Sequence, residues 1–344
     1  MKQMKRLVGL SVALVMLMLA GCGATSSSGS GTSSGSGTPS GSGSGSGAKV
    51  DFPTKQIEII VPLPATGGDS DTSAMYIANQ LEEELGVTVI ITNVDGGSTT
   101  VGMQQLKDSD PDGYTIAYET SNLSLARANN FADIGYEDFE SIAGYCYNSA
   151  SLMIRGDETR FTDFESMLAY AKEHPGELNI CTGSGGGMWH LAIMDLMAKT
   201  GMDANVIADP QGGGSSALML LNGEVDAICV SIGQRITYIE SGEIKDILSL
   251  GRERFASRPD VPTAIELGYD VYTESMRGFV APKGTPAEVI DILEAAIKAA
   301  VEKPECDEIL ASVGLEKSFY SSEEFTEVLK EESVKYPAML EQFT

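Results

Sequence analysis

The chain predicts an α/β protein of two lobes, each a mainly parallel sheet flanked by helices, and three observations lead there. Strand-like and helix-like runs alternate from residue 57 to residue 231. Glycine-rich bends recur in one position, after a strand and before a helix. The tail after Pro286 reads as helices with no strand of its own, so it should pack back on the first lobe and leave a cleft between the two.

Taken in order, the first residues, MKQMKRLVGLSVALVMLMLAGCGA, set Lys2, Lys5 and Arg6 ahead of an apolar run from Leu7 to Ala20, the order of an export signal. The run is short for a membrane span and ends in Leu19, Ala20, Gly21 and Cys22. That ending resembles the lipobox of bacterial lipoproteins, which implies cleavage after residue 21 and acylation of Cys22. One acyl chain holds a protein marginally, whereas two or three anchor it to the bilayer. From Gly23 to Ala48 almost only Ser, Gly and Thr occur, a tether with a reach of roughly 25 to 30 Å.

IEIIVPL (57–63) then reads as a strand, TSAMYIANQLEEELG (72–86) as a helix closed by glycine, and VTVIITN (87–93) as a strand, which makes a βαβ unit. A helix from Val101 to Lys107, the turn SDPDG and the strand YTIAYET (114–120) follow. A second series starts near Ser151 with SLMIR. Thr162, with Glu165 three residues on, predicts a capping box for the helix TDFESMLAYAKEHPG. LNICTG, GMWHLAIMDLMAKTG, NVIADP, SSALMLLNGE and VDAICVS continue the alternation. The expected division is 1–21 signal, 22–49 lipidated cysteine and tether, 50–146 plus 277–344 first lobe, and 147–276 second lobe. The chain should cross between lobes near 144–149 and 275–279.

Composition removes several functions. With 49 acidic against 23 basic residues and a net charge of -26, a nucleic-acid partner would be repelled at every phosphate. Two histidines, His174 and His190, are too few for a histidine-rich metal site. Cys146, Cys181, Cys229 and Cys306 show no metal-knuckle or CxxC spacing, and buried thiols are expected, although export would permit a disulfide. Neither a metal nor a cofactor is expected.

The chemistry sits in the bends ATGGDSDT (65–72), NVDGGSTTVG (93–102), CTGSGGGMWH (181–190) and DPQGGGSSA (209–217). Glycine lets the backbone approach a ligand, and the free N–H groups of the next helix favour negative charge, so a carboxylate can be held without Arg or Lys. GSGGGM lacks the last glycine of a dinucleotide fingerprint, and no loop carries a P-loop ending.

Ordered landmarks from Phe52 onward add a resemblance: FPTKQIEIIVP, TGGDSDTSA, NVDGGSTTVG, PDGYTI, GSGGGMWHLA, QGGGSSALMLLNGEVDA, RPDVPTAIELGY and GFVAPKGTP. Together they resemble the extracytoplasmic solute-binding proteins of tripartite tricarboxylate transporters, the Bug family. The resemblance implies a periplasmic-binding-protein-like flytrap of two domains with a hinge, which presents a small carboxylate to a membrane permease. It implies contacts from Ala65, Thr66, Gly67, Gly68, Asp69, Ser70 and Asp71, and from Ser98, Thr99 and Thr100 in the next loop. Ser184, Gly185, Met188 and His190, with Gly213, Gly214, Ser215 and Ser216, would close from the second lobe. A monomer is expected.

Departures from the family pattern leave the solute open. Asp95 and the hydroxyls of Ser98, Thr99 and Thr100 replace a proline and a glycine pair, and Asp209, Pro210 and Gln211 replace an aromatic residue. Asp71 reads as a helix N-cap; alternatively Asp69, Asp71 or Asp95 accepts hydrogen bonds from the ammonium of a zwitterion. A multiply charged anion would need Arg127, Arg155, Arg235 or Arg277 to reach the cleft. Trp189 and His190 read first as packing residues. An enzyme is disfavoured because no GxSxG occurs and a His190–Ser184 pair would stand alone. A ligand-presenting partner of a membrane sensor kinase remains an alternative to uptake.

Overall fold

The computed structural model describes residues 50–209, 211 and 213–343; the export signal, Cys22 and the tether lie outside them, as do Pro210 and Gly212. The elements are β1 (Ile57–Val61), α1 (Asp69–Leu85), β2 (Val89–Asn93), α2 (Thr100–Lys107), β3 (Thr115–Thr120), β4 (Phe139–Arg155), α3 (Phe164–Glu173), β5 (Leu178–Thr182), α4 (Met188–Thr200) and β6 (Ala204–Ala208). They continue with α5 (Ser216–Leu221), β7 (Ala227–Ser231), α6 (Ile236–Glu240), β8 (Ile244–Ser249), β9 (Glu274–Pro282), α7 (Ala287–Glu302), α8 (Pro304–Ser312), β10 (Glu316–Tyr320) and α9 (Ser322–Phe343).

Two sheets share one strand. The first runs β2-β1-β3-β9-β4, with β10 on the far side of β4. The second runs β8-β4-β7-β5-β6. β4 is 17 residues long; Phe139–Ser149 pair with β9, and Ala150–Ile154 pair with β7. The strands that feed the glycine bends, β1, β2, β5 and β6, run parallel to their neighbours as expected, whereas β9, β10 and β8 join β4 antiparallel.

Two local readings change. The tail does carry a strand, β10, whose five residues EKSFY hold too few apolar side chains to announce it. Helix α3 is capped by Asp163, whose side chain accepts from the Ser166 N–H at 2.8 Å while Ser166 Oγ answers the Asp163 N–H; Thr162 and Glu165 are not the box.

Helices cover both sheet faces because successive strand residues point opposite ways. Ile59 enters the core under α1, α7 and α8, and its neighbour Ile60 enters the core with Met103 and Phe325 under α2 and α9. Along α7, Val289, Ile290, Leu293, Ala296, Ile297 and Ala300 recur three or four apart, so one helix face is apolar and buried. Each valine, leucine or isoleucine among them stabilises the fold by about 1.5–3 kcal/mol on burial. The second lobe has equivalent clusters around Leu152, Ile180 and Ile193 on one side and around Met153, Leu220 and Ile228 on the other. The tail packs on the first lobe through α7 and α8 in the cluster with Ile59 and through α9 in the cluster with Ile60, while Leu125, Met188, Leu191, Tyr336 and Met339 form a further cluster that joins α9 to α4. All four described cysteines are buried and free, and burial pushes the Cys146 and Cys229 thiols up, away from reactivity.

Gly144 of β4 faces Gly278 of β9, and the ring of Phe325 from α9 lies against both. A Cβ at Gly278 would sit 2.4 Å from Phe325 ring atoms and 2.4 Å from the Ala143 carbonyl, with backbone on one side and a fully buried ring on the other. Gly278→Ala is therefore expected to lower the unfolding free energy by roughly 1–3 kcal/mol in a urea titration, and an unchanged midpoint would show that α9 shifts freely.

Candidate functional site

The bends after β1, β2, β5 and β6 all lie at strand C-termini, where a parallel sheet offers its ligand crevice. In the first, Ala65, Thr66 and Gly67 are exposed, and Gly68 is the N-cap of α1 without a side chain to cap it. Asp71 is not that cap. Its Oδ2 accepts the Thr66 and Gly67 N–H groups, both at 2.7 Å, and its Oδ1 accepts from Asn93 Nδ2 at 2.8 Å. The carboxylate thus folds the loop back on its own helix and ties it to β2, which leaves those two N–H groups and Asp71 already paired.

Asp69 is paired too. Arg277 of β9 donates from Nη2 to Asp69 Oδ2 at 2.7 Å and from Nη1 to Ser70 Oγ at 3.0 Å and the Tyr118 hydroxyl at 3.3 Å. Asn148 Nδ2 adds a bond to Asp69 Oδ2 at 3.2 Å. Burial works against the charge of Arg277, yet Asp69 holds its pKa above the ordinary arginine value. Both Nη groups of Arg277 are satisfied in this way, while its Nε is buried without a partner.

The second bend is strained. Gly96, Gly97, Ser98 and Thr99 all have positive φ, and at 83° Thr99 is a β-branched residue in the left-handed region. Ser98 is exposed, Thr100 donates to the Gly97 carbonyl at 2.8 Å, and the Thr99 hydroxyl is buried without a partner. β2 is the edge strand of its sheet, and no second-lobe residue is among the hydrogen-bond partners of Ser98, Thr99 or Thr100 among the described residues. Asp95 is exposed.

From the other lobe, Ser184 and Gly185 are exposed, while Gly186 donates to His190 Nδ1 at 2.8 Å and accepts from Asn129 Nδ2 of the first lobe at 3.3 Å. Burial lowers the His190 pKa, in keeping with a neutral ring that orders this bend. Met188 is buried against α9 in the cluster with Tyr336, and Trp189 packs beside it.

In the fourth bend Asp209 is fully buried; it accepts from the Gln211 N–H at 2.9 Å and from the Ser215 N–H and hydroxyl at 2.9 and 2.8 Å. Gly213 is buried at φ 97°, Gly214 is exposed, and Ser216 is buried. Arg235, in the turn after β7, donates to the Gly213 carbonyl and to Ser216 Oγ at 2.6 Å. It is 3% exposed, and among the described residues no carboxylate lies within 4.0 Å of it. Burial lowers its pKa, and the nearby charges of Asp69 and Asp209 oppose that without forming an ion pair.

Arg235 also marks where the lobes meet. A Cβ on Gly233, two residues earlier, would lie 2.6 Å from the Val313 carbonyl and 3.6 Å from Asp69 Cβ. The first and fourth bends therefore converge around Asp69 and Arg235, and the third is met by Asn129. Two arginines, Arg277 and Arg235, stand beside these bends, where the glycines by themselves suggested only backbone donors. Arg127 and Arg155 do not, being occupied at the surface by Asp133, Glu137 and Asp157. Asn93, Tyr118 and Asn148 escaped notice in the sequence. For Arg277 a signal existed, a single arginine within the small and apolar strand ESMRGFVAP.

A family model described as the tripartite tricarboxylate transporter family receptor matches residues 74–344. The UPF0065 protein in the gbd 5′ region of Cupriavidus necator is 30% identical and covers 84% of this chain and 88% of its own length. Protein BugT of Bordetella pertussis is 28% identical, over 76% of this chain and 81% of its own. Among solved structures, a TctC solute-binding protein from Polaromonas, crystallised without ligand, superposes with a TM-score of 0.73 at 29% identity, over 85% of this chain and 99% of that one. With its two-lobed α/β fold and the glycine bends at the strand ends, the chain belongs to the tripartite tricarboxylate transporter receptors, the extracytoplasmic solute-binding proteins of the Bug family.

Proposed function

We propose that this protein captures a small carboxylate between the lobes 50–146 plus 277–344 and 147–276, and hands it to a membrane permease of the tripartite type. Arg235 carries this reading. A guanidinium that is desolvated, held by a carbonyl and a hydroxyl, and offset by Asp69 and Asp209 only from a distance is a positive charge without a direct ion pair among the described residues. An anion supplied from outside compensates it. Two of the three aspartates that could meet an ammonium are engaged, Asp69 by Arg277 and Asp71 by its own loop, and Asp95 is exposed on the bend after the edge strand β2, which favours a carboxylate over an amino acid.

Two proteins of the same fold, both from Rhodopseudomonas palustris, were solved with malate and with adipate. At 23% identity they bear on the fold, so the solute of this chain must be read from its own residues. Hinge closure is the capture step: contacts made to both lobes stabilise the shut form. Gly186 with Asn129, and Asp69 with Gly233, mark where such closure is sealed. The protein acts as a monomer outside the cell membrane, held there through acylated Cys22 and the tether that follows it.

Mass spectrometry of the solute that co-purifies with the full chain, then calorimetry with mono-, di- and tricarboxylates and amino acids, tests the assignment. Arg235→Gln is expected to weaken carboxylate binding by about 1.5–3 kcal/mol, roughly 10- to 150-fold in Kd, with an unchanged circular dichroism spectrum. Equal affinity in the variant would remove Arg235 from the site, and tighter binding of amino acids than of any plain carboxylate would overturn the solute class. Cys22→Ser is expected to abolish incorporation of labelled palmitate and to move the protein from the membrane fraction to the soluble one.

A further inference from the structure

Away from the cleft, a cavity of about 590 Å³ opens in the first lobe between the end of β3, the turn Ser121–Leu125, the segment 127–137 and helix α9. Two carboxyl groups form its floor. Glu119 of β3 is 1% exposed and neither of its oxygens has a hydrogen-bond partner; Glu332 of α9 is 7% exposed, accepts from the Ser121 hydroxyl at 2.6 Å through Oε1, and leaves Oε2 unpartnered. Leu123, Ile134, Leu329 and Pro337 supply apolar wall, and Glu137 and Glu341 stand with them in the lining. The cation of the lining, Arg127, is already engaged by Asp133 and Glu137.

We propose that this cavity is a second binding site, for a small organic cation: an amine or guanidinium carried on a short hydrocarbon body. Buried carboxylates without donors require a positive partner or a proton. The charged neighbours do not fill that need by contact. Arg277, on the strand paired with β3, gives its Nη groups to Asp69, Ser70 and Tyr118, and its charge acts on Glu119 without an ion pair between them; Lys335, one turn along α9 from Glu332, donates to the Tyr272 carbonyl at 3.1 Å. Glu274 adds further negative charge near Glu332. A metal ion is disfavoured, because among the described residues no three His, Cys, Asp or Glu side chains are grouped to hold one. An anionic solute is repelled by the same carboxylates. An ammonium or guanidinium supplies two or more donors to the floor, and its hydrocarbon chain matches the leucine and isoleucine walls.

Burial, together with repulsion between the two groups, raises the pKa of Glu119, and burial raises that of Glu332, so the empty pair retains protons that carboxylates at the surface have lost. Entry of a cation stabilises the charged forms and expels a proton. Calorimetry of the full chain with cadaverine, 2-phenylethylamine and agmatine, repeated in buffers of different ionisation enthalpy, reads both binding and proton release. The expected result is saturable binding of at least one of the three, with protons released near neutral pH.

Glu332→Gln and Glu119→Gln should each weaken that binding about tenfold or more and reduce the proton release. Ser333→Arg, at a half-exposed lining position, should abolish it by placing a fixed guanidinium in the cavity without disturbing the core. Arg235→Gln should leave it intact, which separates this site from the solute cleft. No heat with any of the three probes between about pH 6 and pH 9 overturns the proposal, as does binding that survives Ser333→Arg.

Discussion

A single strand has to satisfy two sheets. β4 gives the backbone groups of Phe139–Ser149 to β9 and those of Ala150–Ile154 to β7, so neither lobe completes its sheet without it. Backbone N–H and C=O groups buried without partners are costly, and this ladder therefore fixes where each lobe stands before any side chain is considered. Closing of the first lobe then follows from the tail: β9 returns beside β4, β10 adds on its other side, and Phe325 seats α9 on the paired glycines. The glycines are required by that seat and not by the turn of the chain.

The same ladder delivers the charges. β9 places Arg277 beneath the start of α1, where Asp69 meets it, and β7 ends just before the turn that carries Arg235. One guanidinium is paired with a carboxylate inside the protein, and the other is held by a carbonyl and a hydroxyl with no ion pair among the described residues. Around them two acidic side chains are used as scaffolding: Asp71 and Asp209 each gather N–H groups of their own loop. The first and fourth bends are thus shaped by carboxylates, and part of their donor capacity is spent in holding that shape.

The α/β alternation was legible because it rests on local periodicity: α1, α4 and α7 declare themselves by apolar spacing, and α1 and α4 also by the glycines that close them. β10 was not, because EKSFY gains its place from β4, roughly 170 residues earlier, and not from its own hydrophobicity. The site was legible as a set of loops and not as a set of contacts. Asp71 shows why: a carboxylate at the first turn of a helix reads as a cap, and only the fold reveals that it reaches back to Thr66 and Gly67. Arg277 and Asp69 are 208 positions apart, and no spacing rule pairs them. Glu119 and Glu332, likewise distant in sequence, become neighbours only once α9 lies over β3.

Since β4 is continuous across the junction, the two lobes are joined there by a hydrogen-bonded ribbon and not by a slack loop. Its register slips between Ser141 and Ala143, between Gly144 and Cys146, and again between Leu152 and Met153, so irregular pairing lies on both sides of the crossing. Bulges of this kind concentrate twist while the intervening ladder stays intact. Under the capture step proposed above, opening the mouth of the protein is a torsion of this one ribbon at its irregular points, which guides the jaws along a defined arc.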